Sequence, residues 1–122
     1  MSGAMAEQTR AELVTRYVDA ASRNGSATLR SDEEEANRAH DELAEIYREL
    51  RRRGGDDQAA LLGLLDHEDT GVRLWAAAHA LEFAPERGEP VLRRTRAEMK
   101  NLLGFVAGMT LARWREGALE FP

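Results

Sequence analysis

The chain has 122 residues, 43% of them hydrophobic and 32% charged, with a net charge of −5 and no cysteine. That is the length of one domain, able to bury about two-thirds of its unfolded surface. The acidic balance disfavours a broad electrostatic grip on nucleic-acid phosphates or an anionic membrane, and the lack of thiols excludes disulfides, thiolate metal sites and cysteine nucleophiles.

Aromatic residues make up only 6% of a chain rich in alanine, which suits closely packed helices better than a β-sandwich. Sixteen of the 17 basic residues are arginine, a skew read as coding bias rather than as a binding surface. The longest charge-free run, NLLGFVAGMTLA at 101–112, has 12 residues, against roughly 20 for a membrane span. No apolar signal core opens the chain, so a cytoplasmic location is expected. Residues 1–5 are expected to be a non-native or disordered start, and residues 6–122 one helical domain.

Thr9 and Glu12 form a capping box before Leu13, Val14, Tyr17, Val18 and Ala21, which recur at helical spacing. Asn24-Gly25 is expected to stop this first helix. A second box, Ser31 with Glu34, opens the longest helix, with acidic residues at 32–35 and Arg51–Arg53 at the ends the helix dipole prefers. Its apolar stripe is Ala36, Ala39, Leu43, Ile46, Tyr47 and Leu50, and Gly54-Gly55 ends it.

Asp56 or Asp57 is expected to cap a short third helix carrying Leu61, Leu62, Leu64 and Leu65. After the turn DHED, Asp69 or Thr70 caps a fourth helix that runs to about Ala84. Pro85 and Pro90 are expected to flank the start of a fifth helix, where proline is tolerated. A sixth runs from about Leu102 to Glu116, and Gly117 terminates it. No strand-like alternation of useful length occurs, so the expected fold is all-α with six helices.

A shift of 30 residues superimposes the last two helix pairs without a gap. Leu61-Leu62 falls on Val91-Leu92, Val72 on Leu102, Trp75 on Phe105, and Ala80-Leu81 on Thr110-Leu111. A helix-turn-helix unit recurring at such a period is the mark of an α-solenoid. Residues 56–84 and 85–117 then form two repeats, residues 6–55 a capping helix pair, and residues 118–122 a tail. Small residues at 76, 77 and 80, and Gly104, Gly108 and Ala112, would let helices approach closely.

The stretch LLGLLDHEDTGVRLWAAAHALEF resembles a HEAT-type repeat, whose second helix opens with Val-Arg and continues through alanines to Ala-Leu. More closely, residues 35–122 resemble a small bacterial family of domains of unknown function. The Arg-Gly-Gly-Asp junction at 53–56, Val72-Arg73 and the Gly108–Leu111 run carry the likeness. The resemblance implies a HEAT/armadillo-like α-α superhelix and brings no catalytic residues with it.

No catalytic constellation is found, and no catalytic, cofactor-binding or metal residues are assigned. His67 sits among Asp66, Glu68 and Asp69, but no second histidine stands at metal-ligand spacing, so this cluster is read as a capped turn. His40 is read as a boundary residue of the second helix. Arg73 is expected to bond helix-end carbonyls or a carboxylate. The basic run of Arg93, Arg94 and Arg96, interrupted by acids, is read as a solvated face.

On the fourth helix, Val72, Ala76, Ala77, Ala80 and Leu81 are expected to face the core, leaving Trp75, His79 and Glu82 along another face. The 30-residue shift sets Phe105 and Met109 beside Trp75 and His79. These five residues form a candidate partner-binding face, unless the second helix or Phe121 covers it and makes it core. The expected function is a non-enzymatic protein-protein interaction module, of which an immunity or antitoxin-like partner of a toxin is one version. A nucleic-acid-binding or DNA-repair-type HEAT-like protein is the alternative, and a homodimer across the apolar face is a further possibility. The charge makes nucleic acid the weaker partner, and no membrane or cofactor is expected.

Overall fold

The computed structural model describes residues 5–122, so the expectation for residues 1–4 lies outside the described residues. Met5, by contrast, packs against the core, and its carbonyl accepts from Arg53. Six α-helices follow: α1 (Arg10–Leu29), α2 (Glu33–Arg53), α3 (Gly55–Ala59), α4 (Thr70–Phe83), α5 (Pro85–Glu98) and α6 (Leu102–Arg115). A 3-10 helix, Ala60–Leu64, continues α3. No strand occurs among the described residues, and the all-α expectation holds.

The capping box of α1 forms as read, with the Thr9 hydroxyl accepting from Glu12 N–H and the Glu12 carboxylate accepting from Thr9 N–H. Asn24-Gly25 does not end the helix, which runs four residues further to Leu29. Both residues serve tertiary contacts instead. A Cβ at Gly25 would lie 3.0 Å from the Cα of Gly71, so two glycines mark the place where α1 and α4 cross backbone to backbone. The Asn24 amide donates to the Ala36 carbonyl at 2.9 Å, tying α1 to α2. The chain turns at Ser31, whose φ is 59°.

Asp32, rather than Ser31, caps α2 by accepting from Glu35 N–H at 3.1 Å. Arg23 clasps the α1–α2 hairpin, reaching Asp19 on its own helix and Glu35 and Glu42 on α2. Gly54, with φ of 68°, ends α2 in a backbone state that L side chains avoid, and it also precedes the first turn of α3. Asp56 and Asp57 therefore do not cap α3. Asp57 instead pairs with Arg10 and Arg53, closing the base of the first hairpin. The leucine-rich segment expected as a short helix is mostly 3-10, burying Leu61 and Leu64.

Asp69 caps α4, accepting from Val72 N–H at 3.1 Å and from the Ser22 hydroxyl at 2.8 Å. Pro85 opens α5, but Pro90 lies inside it rather than at its start. Asn101 caps α6, and Gly117, with φ of 71°, follows its end. The core is a continuous cluster from Leu13 and Tyr17 on α1 through Leu43, Ile46 and Leu50 on α2 to Val72, Ala76, Ala77 and Leu81 on α4, ending at Leu103 and Leu111. Helix α4 runs through its middle, in contact with α1, the 3-10 segment, α5 and α6. The last helix, α6, has packed neighbours on one side only.

Candidate functional site

The five residues expected to share a face are divided between two places. His79 is buried, at 3% exposure, so it belongs to the core and not to an open groove. Trp75 is half-buried, while Phe105 and Met109 are 63% and 44% exposed on α6. Glu82 lies at the edge of the His79 cluster. The shift that equates Trp75 with Phe105 equates positions in sequence, but α4 is covered by neighbours where α6 is bare.

The inner site is a polar and aromatic cluster at the junction of α1, α2 and α4. The Tyr17 hydroxyl lies 2.7 Å from Nδ1 of His79. Tyr17 is wholly buried, and its hydroxyl needs an acceptor, which Nδ1 of neutral His79 provides. Tyr47 stacks on the other side of the imidazole, and its hydroxyl donates to the Glu82 carboxylate. Arg51 donates to the same carboxylate at 3.2 Å, and the Gln58 amide donates to the Tyr47 oxygen at 3.1 Å. Glu82 is therefore held within its own chain.

Burial, with help from the nearby His40 and Arg51, lowers the His79 pKa to about 3. The imidazole is neutral at pH 7, which agrees with its role as acceptor. Burial, and after it the neighbouring Tyr47, raises the Tyr17 pKa well above the usual phenolic value. Burial and the Glu82 carboxylate raise that of Tyr47. The cluster is thus neutral inside, with one carboxylate and one guanidinium at its rim.

Trp75 adjoins this cluster. Its indole N–H donates to the Asn24 side chain at 2.8 Å, and the His40 ring tilts against it with centroids 5.2 Å apart. The residue expected at the boundary of α2 therefore forms the outer wall of Trp75. Beyond it, Leu119, Phe121 and Pro122 of the tail help line a pocket of about 360 Å³ that also includes Ala44, Arg48, Ala78 and Thr110. His79 is thus core, whereas Trp75 stays half-buried at the edge of this pocket. Tyr17 and Tyr47 were read from the sequence only as members of apolar stripes and Asn24 only as a helix stop, although a tyrosine within such a stripe signals a hydroxyl in need of an acceptor.

The outer site is the free side of α6. Phe105, Met109 and Leu102, the last 46% exposed, stand beside Met99 in a groove of about 770 Å³. Arg96, Lys100 and Arg115 line the same groove, with no acidic side chain among its lining residues. Arg115 pairs with Glu89, whereas Arg96 and Lys100 have no carboxylate partner among the described residues. The small residues on this helix serve internal packing: Gly104 sits against the Met99 backbone and Gly108 beneath the Arg96 side chain.

The acidic turn at 66–69 is a structural joint. His67 Nδ1 accepts from Asp69 N–H at 3.0 Å, and Arg73 donates to the carbonyls of His67 and Glu68 and to the Thr70 hydroxyl. Arg73 thus bonds carbonyls of the turn before α4, where helix-end carbonyls or a carboxylate were expected.

The fold is similar to the crystal structure of the protein RPA1889 from Rhodopseudomonas palustris CGA009, with a TM-score of 0.85 and 28% sequence identity. The match covers 97% of this chain and 98% of that one. No curated protein matches the chain. A family described as a domain of unknown function, DUF2019, matches residues 11–113. With that match spanning most of its length, the chain belongs to the DUF2019 family.

Proposed function

We propose that this protein is a non-enzymatic interaction module that docks another protein on the free side of α6. The observation that carries the reading is the exposure of Phe105, Met109 and Leu102 together on one helix of a well-packed domain. Fully burying each of these side chains is worth about 1.5–3 kcal/mol, and contiguous apolar surface rimmed by charge is the usual anatomy of a docking site.

The charge around the groove supports a particular kind of partner. Between residues 85 and 116 there are seven basic and four acidic residues, in a chain whose net charge is −5. A protein segment with apolar side chains for the groove and carboxylates around them complements this rim. Two copies of the rim would repel each other, which disfavours self-association through the same face. A toxin neutralised by this chain would be one partner of that kind.

The same cations favour nucleic acid as a second reading, although phosphates gain nothing from Phe105 and Met109. The two readings are separated by capturing partners from native cells on the immobilised chain and by a DNA gel shift at several salt concentrations. A stoichiometric protein partner supports docking. A gel shift that weakens steeply with salt, without such a partner, replaces it with phosphate binding.

A further inference from the structure

We propose that the pocket between α2, α4 and the tail is a binding site for a small planar aromatic carboxylate. This site is separate from the α6 groove and does not depend on the function assigned to that groove. At about 360 Å³ it lies within the range of small-molecule sites and has the usual mixture of apolar wall and few polar groups.

The aromatic wall is fixed before any ligand arrives. Trp75 is held by its bond to Asn24, which is itself anchored to the Ala36 carbonyl. His40 braces the indole from outside, and Phe121 of the tail lines the pocket with it. A planar ring placed against Trp75 and Phe121 would find surfaces whose ordering cost is already met by the fold.

Two donors are available for a carboxylate. His79 lines the pocket while 97% of it is hidden by the protein, given its 3% exposure. Its Nδ1 is taken by Tyr17 and one ring face by Tyr47, so Nε2–H is the polar atom left over for a ligand. Arg48, also on the lining, has no carboxylate partner among the described residues. The ionisable side chains on the lining are those of His40, Arg48, His79 and Glu120; Glu120 is exposed and is the acidic side chain that an amine ligand would use instead.

The test is a titration of the intact chain with 2-naphthoate, following the two indole N–H signals in a proton-nitrogen correlation spectrum. The proposal predicts a saturable shift of the Trp75 signal at sub-millimolar ligand, with Trp114 unmoved. It also predicts binding about tenfold weaker in Arg48→Gln, a change at an exposed position. 2-Naphthylmethylamine should bind more weakly than the carboxylate. A Trp75 signal that does not move, tighter binding of the amine, or unchanged affinity in Arg48→Gln would each overturn the assignment.

Discussion

Tyr47 of α2 lies flat on His79 of α4, with ring centroids 4.1 Å apart and planes within 7° of parallel. The stacked pair ties α2 to α4, and Tyr17 completes it from α1. Because the imidazole is neutral and its Nδ1 is satisfied, the cluster adds rigidity without burying a charge. Its consequences are measurable.

The first consequence is a pH dependence. The His79 pKa falls from 6.5 to about 3 on folding. Below pH 6.5 the unfolded chain takes up a proton that the folded chain does not accept until about pH 3. The stabilisation is therefore complete above pH 6.5 and is lost as pH falls through that window, with a slope approaching about 1.4 kcal/mol per unit. Denaturant unfolding between pH 7 and 5 should show this slope before most carboxylates titrate. His79→Gln should remove it. The His79 ring resonances should not titrate between pH 7 and 5.

Tyr17→Phe removes the hydroxyl that reaches Nδ1 of His79, leaving a buried acceptor unpaired. The expected cost is about 1–3 kcal/mol, read from denaturant midpoints at pH 7. In the His79→Leu background the same change should cost much less, since the acceptor is gone. An equal cost in both backgrounds would show that Tyr17 acts through packing alone.

Gly71→Ala places a Cβ 2.8 Å from the Ala21 carbonyl oxygen and 3.2 Å from the Gly25 Cα, both backbone atoms. Alanine gains up to about 1 kcal/mol in helix propensity, but the helices must separate. We expect a net loss of about 1–3 kcal/mol. Gly63→Ala, where the added Cβ meets nothing within 4 Å, should be nearly neutral. Thermal unfolding of the two variants side by side separates the crossing effect from propensity.

Much of the fold could be read from local chemistry. The Thr9–Glu12 box, the Asp69 cap, the stop at Gly54 and the buried run of Val72, Ala76, Ala77, Ala80 and Leu81 depend on residues close in sequence. Asn24-Gly25 misled because its pattern is that of a helix stop, while its use is a backbone crossing with a residue 46 positions away. Pro90 misled because proline usually marks a helix start, whereas here it is the sixth residue of α5 and has no N–H to give the Glu86 carbonyl. The candidate face was only half legible. Periodicity placed Trp75, His79 and Glu82 together on α4, but whether they met solvent depended on α2 and the tail, which no repeat shift reports. Phe105 and Met109 were named from the same shift and lie exposed because none of the described residues packs beyond α6.

The proposed docking face is tested most directly by Phe105→Glu, compared with wild type in both thermal unfolding and capture of a partner from native cells. Phe105 is 63% exposed, so the substitution should leave the unfolding temperature nearly unchanged while abolishing recovery of a protein that wild type retains at stoichiometric yield. Undiminished recovery of that protein by a folded Phe105→Glu chain would contradict the account.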